Sequence, residues 1–143
     1  MTKKTRNPPL KNAFSGKTTA QKQLQDLINI QYGNTWQSFI VSEASSLLYH
    51  GGVHRNALDE QQILQWQEDM VRLIFQLENS YENIAINEQK RNTLIICDRG
   101  AMDPKVFTSS EDDWSAILKN LGKTENDILD EYKAVIQLYT APK

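Results

Sequence analysis

Residues Thr93-Leu-Ile-Ile-Cys97 form an unbroken apolar, β-prone run, and Asp98-Arg99-Gly100 stops it. A strand wetted on one face alternates polar and apolar residues; a continuous run suits a strand covered on both faces, as in parallel sheets flanked by helices. The residues before it supply such a cover. Ile63, Trp66, Met70, Ile74, Leu77, Tyr81 and Ile84 recur at three- and four-residue steps, which predicts a long helix from the cap Asp59 to about Glu88 that packs on a sheet. Trp36–Val41 is a second β-prone run, ending at Ser42-Glu43, and Ala134–Thr140 reads as a last strand. Further helices are predicted from Thr18 (Ala20, Leu24, Leu27, Ile28) to Gly33-Asn34, over 44–49 before Gly51-Gly52, and over 112–121 and 125–132. Strands alternating with helices imply an α/β domain with a parallel sheet.

The chain has 143 residues, enough for one domain with a single core. Its net charge of −2 gives no general basic excess to suggest nucleic acid. No apolar stretch approaches the ~18 residues of a transmembrane segment. The basic N-terminus lacks the apolar core of a secretory signal. Cys97 is the single cysteine, so no disulfide forms within the chain; a buried free thiol and a cytoplasmic setting, peripheral at membranes at most, are expected.

Ser15-Gly16-Lys17-Thr18-Thr19 opens the first predicted helix. Backbone N–H groups at such a helix start cradle phosphate oxygens. Lys17 would reach the β- and γ-phosphates and the Thr18 hydroxyl would hold Mg²⁺. Asp98, just past a buried strand, is placed to bind that Mg²⁺, with Thr18 as the other metal ligand. Arg99 would reach a phosphate or pair with Asp98. Glu43, where the earlier strand ends, would take a substrate hydroxyl proton or start the next helix as a favourable charge. These residues make GTP or ATP the expected ligand, and a P-loop NTPase-like three-layer α/β/α domain the expected fold. His50 and His54 flank Gly51-Gly52, which breaks any helix that would align them for zinc. Asp103 and Glu111-Asp112-Asp113 read as loop and helix-start charges.

The lead-in to the loop is atypical. In G-x-x-x-x-G-K-[ST] the first glycine position falls on Lys11, and Asn7-Pro-Pro-Leu10 cannot supply a central strand's ladder donors. Residues 1–14 are therefore expected to be a disordered segment, and 15–143 an incomplete nucleotide-binding domain whose first strand is missing or replaced.

Taken in order, Ser15–Thr19, Ser42-Glu-Ala-Ser-Ser-Leu-Leu48 with Gly51-Gly52, Leu94-Ile-Ile-Cys-Asp-Arg-Gly-Ala-Met-Asp103 and Ala134–Ala141 resemble the P-loop (AAA-type) domain of the TRPL translocation defect proteins. That domain is similar to the ribosylnicotinamide kinase domain of bacterial NadR. The resemblance runs from about Ser15 to the C-terminus, and its most specific part is Cys97-Asp-Arg-Gly-Ala-Met-Asp103. It implies GTP binding, phosphoinositide binding and a part in intracellular protein transport, with a cargo protein as partner. Through the kinase relatives it implies instead a small nucleoside kinase in which Glu43 and Asp98 are catalytic. Family members lead in with a strand and a glycine-glycine-proline turn and continue into a second, β-rich domain. The chain is thus expected to be an alternative or incomplete product, and a third reading is a truncated variant with little nucleotide binding. The absent strand predicts marginal stability and self-association through unpaired edges. Grafting a strand and a glycine-led loop in front of Ser15 is expected to raise both melting temperature and GTP affinity; equal values for the two forms would mean that residues 1–14 already do this work.

Overall fold

The computed structural model describes residues 16–139. They form a mixed α/β domain of five α-helices and a two-stranded parallel sheet. In chain order these are α1 (Lys17–Gln31), β1 (Trp36–Val41), α2 (Ala44–His50), α3 (Glu60–Asn87), β2 (Asn92–Cys97), α4 (Glu111–Leu121) and α5 (Glu125–Glu131), with short 3₁₀ turns at Arg55–Ala57 and Asp103–Phe107.

Strands β1 and β2 pair from Trp36↔Asn92 to Val41↔Cys97. Parallel neighbours need a long crossover, and α2 and α3 provide it. Helix α3 starts where expected: the Asp59 side chain accepts from the Gln62 N–H, and the Gln62 side chain accepts from the Asp59 N–H, closing a capping box. The start of α4 is fixed by Ser110 and that of α5 by Thr124.

The predicted stripe on α3 holds in its first half. Trp66, Met70 and Ile74 are buried, Leu77 packs at the edge of the core, and the Tyr81 ring meets Phe39 of β1. The stripe then runs out of cover, and Ile84 is 57% exposed. A second buried row, Val71, Phe75 and Glu78, lies beside the first. Apolar residues of both rows enter the main core, in which α3 is clustered with Trp114, Ile117 and Leu118 of α4, Ile128 of α5, Ala44 of α2 and Ala101 of the loop after β2.

Helix α1 lies along β1 with no buried residue. It is tied by amides instead. Gln25 donates to the Ser38 carbonyl, and the Ser38 N–H donates to the Asn29 side chain. These are the outward-facing backbone groups of β1, because Thr35 and Val41 carbonyls accept from Asn92 and Asp98 on the β2 side. Two side chains of α1 therefore occupy the outer edge of β1 at Ser38.

One predicted element is absent. Residues 134–139 carry no strand or helix, and Thr140 lies outside the described residues, as do the expected disordered segment 1–14 and Ser15. A helix satisfies its own backbone; a strand needs a neighbour's edge, and 134–139 have none beside them among the described residues.

The position of the core makes a direct prediction. Ile117 is 1% exposed and Ile84 is on the open part of α3. Ile117→Ala should cost about 2–5 kcal/mol in denaturant unfolding, and Ile84→Ala about 0.5 kcal/mol or less. Similar losses at both sites would mean that the core extends along the whole of α3.

Candidate functional site

Parallel strands deliver their loops to one end, and the C-terminal ends of β1 and β2 gather most of the residues singled out in the sequence. Gly16 caps α1 in the left-handed conformation (φ 69°), which glycine adopts at little cost. Ala20 N–H bonds to its carbonyl at 3.0 Å. The N–H groups of the first turn, including those of Lys17, Thr18 and Thr19, have no intrahelical acceptors, and the helix dipole favours an anion beside them.

Asp98 stands one residue beyond β2, and its N–H donates to the Val41 carbonyl at 2.9 Å. Its Oδ1 is buried and has no hydrogen-bond partner among the described residues. That oxygen lies 3.6 Å from Lys17 Nζ, a distance for an ion pair rather than a hydrogen bond. Fold topology has thus brought together a helix-opening lysine and a strand-ending carboxylate that are far apart in sequence.

Arg99 is in the left-handed region (φ 65°), where a Cβ is unfavourable by roughly 1–3 kcal/mol. Two carboxylates hold it there: its Nε is 2.8 Å from Glu43 Oε1 and its Nη1 is 3.2 Å from Asp103 Oδ2. The Nε contact is close but off the hydrogen-bond line, so it acts as an ion pair. Glu43 also accepts from the Ser45 hydroxyl at 2.9 Å. Its side chain makes no capping bond to α2. Burial pushes the Asp103 carboxyl above its ordinary range, against the pull of Arg99.

The loop after β2 is pinned from beneath. Ala101 N–H donates to the Tyr132 hydroxyl at 2.7 Å, and that hydroxyl donates to Glu78 of α3, 2.9 Å from each carboxylate oxygen. Gly100 lies against the Tyr132 ring, where an added Cβ would sit 2.9 Å from Cζ. Burial raises the Glu78 carboxyl above its ordinary value, despite hydrogen bonds from Tyr132 and Cys97. Burial and the neighbouring Glu78 push the Cys97 thiol and the Tyr132 phenol upward.

Of the predicted site residues, the fold unites Gly16, Lys17 and Asp98 in one group, and Glu43 and Arg99 in an adjoining one. Thr18 and Thr19 are exposed on the first turn of α1. Asp103 belongs to the site rather than to a free loop, a role hinted at by its four-residue spacing from Arg99. Glu78 and Tyr132 were missed; Glu78 was legible as a carboxylate continuing the buried row Val71, Ile74, Phe75. Cys97 is a free, half-buried thiol. His50 and His54 are exposed, and the His54 ring stacks on Tyr49. Glu111 pairs with Lys105. Among the described residues no three His, Cys, Asp or Glu side chains are grouped to hold a metal, and no helix is long and apolar enough to cross a membrane.

Comparison with protein-family models, with curated proteins and with solved structures finds no match.

Glu78 couples this loop to pH. A carboxyl whose pKa is raised by folding retains its proton in the folded state at pH values where the unfolded chain has lost it. Stability from this group is therefore full below about pH 4.5, the ordinary glutamate value, and is lost as pH rises through the raised folded value. Glu78→Gln, which stays neutral, should remove that part of the pH dependence and leave the protein more stable than the parent near pH 7. A parallel pH–stability profile in the two proteins would show that Glu78 titrates as it does in the unfolded chain.

Proposed function

We propose that this chain is a nucleotide-binding module, of P-loop type, that takes a nucleoside triphosphate with Mg²⁺ between the start of α1 and Asp98. The observation that carries the reading is the meeting of Lys17 and Asp98. A lysine at a helix N-terminus and a buried carboxylate oxygen with no hydrogen-bond partner among the described residues face each other, as a phosphate chain with its counter-cation requires. Lys17, Thr19 and the N–H groups of the first turn would take the phosphate oxygens, joined by Arg99 and by Ser15, which precedes Gly16 in the sequence.

The residues fit Mg²⁺. This hard cation prefers oxygen ligands and is held by one or two protein groups plus phosphate oxygens and water, not by a full protein cage. Asp98 Oδ1, buried and without a hydrogen-bond partner among the described residues, and the Thr18 hydroxyl are such groups. Bound there, the ion would neutralise charge on the phosphates. The base choice follows the resemblance to the TRPL translocation defect proteins, which favours GTP over ATP. The same resemblance supplies the proposed place in intracellular protein transport, with a cargo protein and a phosphoinositide as partners at a membrane surface.

The kinase alternative receives less support, because Glu43 is already engaged by Arg99 and Ser45. Weak binding is favoured by one observation: α1, which carries Lys17 and Thr18, has no buried residue to brace it.

A titration with fluorescent GTP and ATP, with and without Mg²⁺, tests the reading. Hydrogen bonds between a charged donor and phosphate contribute about 1.5–3 kcal/mol, so Lys17→Ala should weaken binding by about tenfold or more. An unchanged affinity would place the nucleotide elsewhere. Asp98→Asn should reduce the Mg²⁺ dependence while the circular dichroism spectrum is retained. If melting temperature falls and Mg²⁺ dependence persists, Asp98 serves only Lys17 and the loop. Release of inorganic phosphate or phosphorylation of a nucleoside in the same samples would revive the enzymatic alternative.

A further inference from the structure

The two strands differ in how their outer edges are treated. Every strand at the side of a sheet presents N–H and C=O groups to the next strand, and proteins usually cover that edge or blunt it with charge or proline. At β1 the cover is visible: Gln25 and Asn29 of α1 take the Ser38 carbonyl and N–H. At β2 it is not. Asn92 and Asp98 N–H groups point to β1, so the backbone groups of Thr93, Ile95 and Cys97 point the other way. Among the described residues no strand lies on that side. Thr93–Cys97 contains no charge and no proline, and all five residues are only half-buried.

The same chain carries the complementary piece. Ala134-Val-Ile-Gln-Leu-Tyr139 is uncharged, proline-free and rich in β-formers. It forms no regular structure, and Val135, Ile136 and Tyr139 are 56%, 75% and 68% exposed. Tyr132, just before it, is fixed to Ala101 and Glu78, so the segment leaves the domain beside the loop that follows β2. An apolar edge and an apolar strand-former are thus present together in one molecule, and among the described residues no further strand pairs with either.

We propose that two copies of this chain associate by strand exchange, residues 134–139 of each copy pairing with the outer edge of β2 in the other. The occupant is a second copy because this chain itself holds both halves of the pairing, and among the described residues no strand pairs with either half. Reciprocal exchange closes as a two-fold dimer, since each copy gives one strand and receives one. It buries the exposed Val135, Ile136 and Tyr139 against the half-buried residues of β2, and it gives a strand partner to backbone groups that have none among the described residues. The pairing is independent of the nucleotide site and stands whether or not the chain binds triphosphate.

Sedimentation velocity on the full chain, from about 1 to about 100 µM, reads the mass, a range that brackets micromolar association. The expected result is a rise from one chain to two. Hydrogen exchange at the same concentrations should show the amides of Thr93, Ile95 and Cys97 becoming protected as the dimer forms. Ile136→Pro removes a donor and a β conformation from an exposed, irregular segment, so the helical circular dichroism should be kept while the dimerisation midpoint rises by about tenfold or more. The double variant Val135→Lys with Tyr139→Lys, which leaves the backbone free but opposes burial, should act in the same direction. A one-chain mass at every concentration would overturn the proposal. So would dimerisation unaffected by both variants, which would place the interface elsewhere. Protection of the β2 amides at one-chain mass would mean that the edge is closed within the molecule, and would overturn it too.

Discussion

Helix α3 is the element on which the rest of this domain depends. At 28 residues it runs about 42 Å, and it is packed against α2, α4, both strands and the 103–107 turn. One face carries Trp66, Met70 and Ile74; the adjoining row carries Val71, Phe75 and Glu78. Apolar residues of both rows share a core with α4 and α5, whose Trp114, Ile117 and Ile128 are among the most buried side chains in the structure. The sheet contributes only Val41 and Ser38 as buried residues. A two-stranded sheet is marginal on its own, so β1 and β2 keep their register because α3 backs them and joins them.

The other side of the sheet is built differently. There α1 approaches with polar tethers to Ser38 and leaves Ile30 82% and Leu27 44% exposed. Net hydrogen-bond contributions are about 1 kcal/mol each, whereas a buried leucine or isoleucine contributes roughly 1.5–3 kcal/mol. The helix that presents Lys17 is therefore the weakly attached layer, and the loop that presents Asp98 is the strongly attached one. Any ligand joining the two would add its own binding free energy to the docking of α1.

The loop after β2 owes its firmness to a buried polar chain rather than to apolar packing. Ala101, Tyr132 and Glu78 satisfy one another, and Gly100 allows the phenol ring to lie against the backbone. This chain offsets the left-handed strain at Arg99 and aims Asp98 past the end of the strand. It also fixes where residues 133–139 leave the domain, so the same contact orders the site and frees the exposed apolar segment.

Local order was legible in the sequence. The Asp59 cap, the two runs Trp36–Val41 and Thr93–Cys97, and the helices around 44–50, 60–87, 111–121 and 125–131 follow from periodicity and capping, which depend on near neighbours. The joining of Lys17 to Asp98 followed from a motif, because strands placed in parallel carry their ending residues to one side. Three things depended on tertiary structure. Ala134–Tyr139 has the composition of a strand but no edge beside it, and β structure exists only where a partner supplies the hydrogen bonds. Asp103 read as a loop charge and Glu78 was not singled out until the folded chain put Arg99 beside one and Tyr132 over the other. The core lies between α3 and α4–α5 rather than across the sheet, because burial is decided by which faces meet; the sequence determined where each element begins and ends, and packing decided which of its faces lost contact with water.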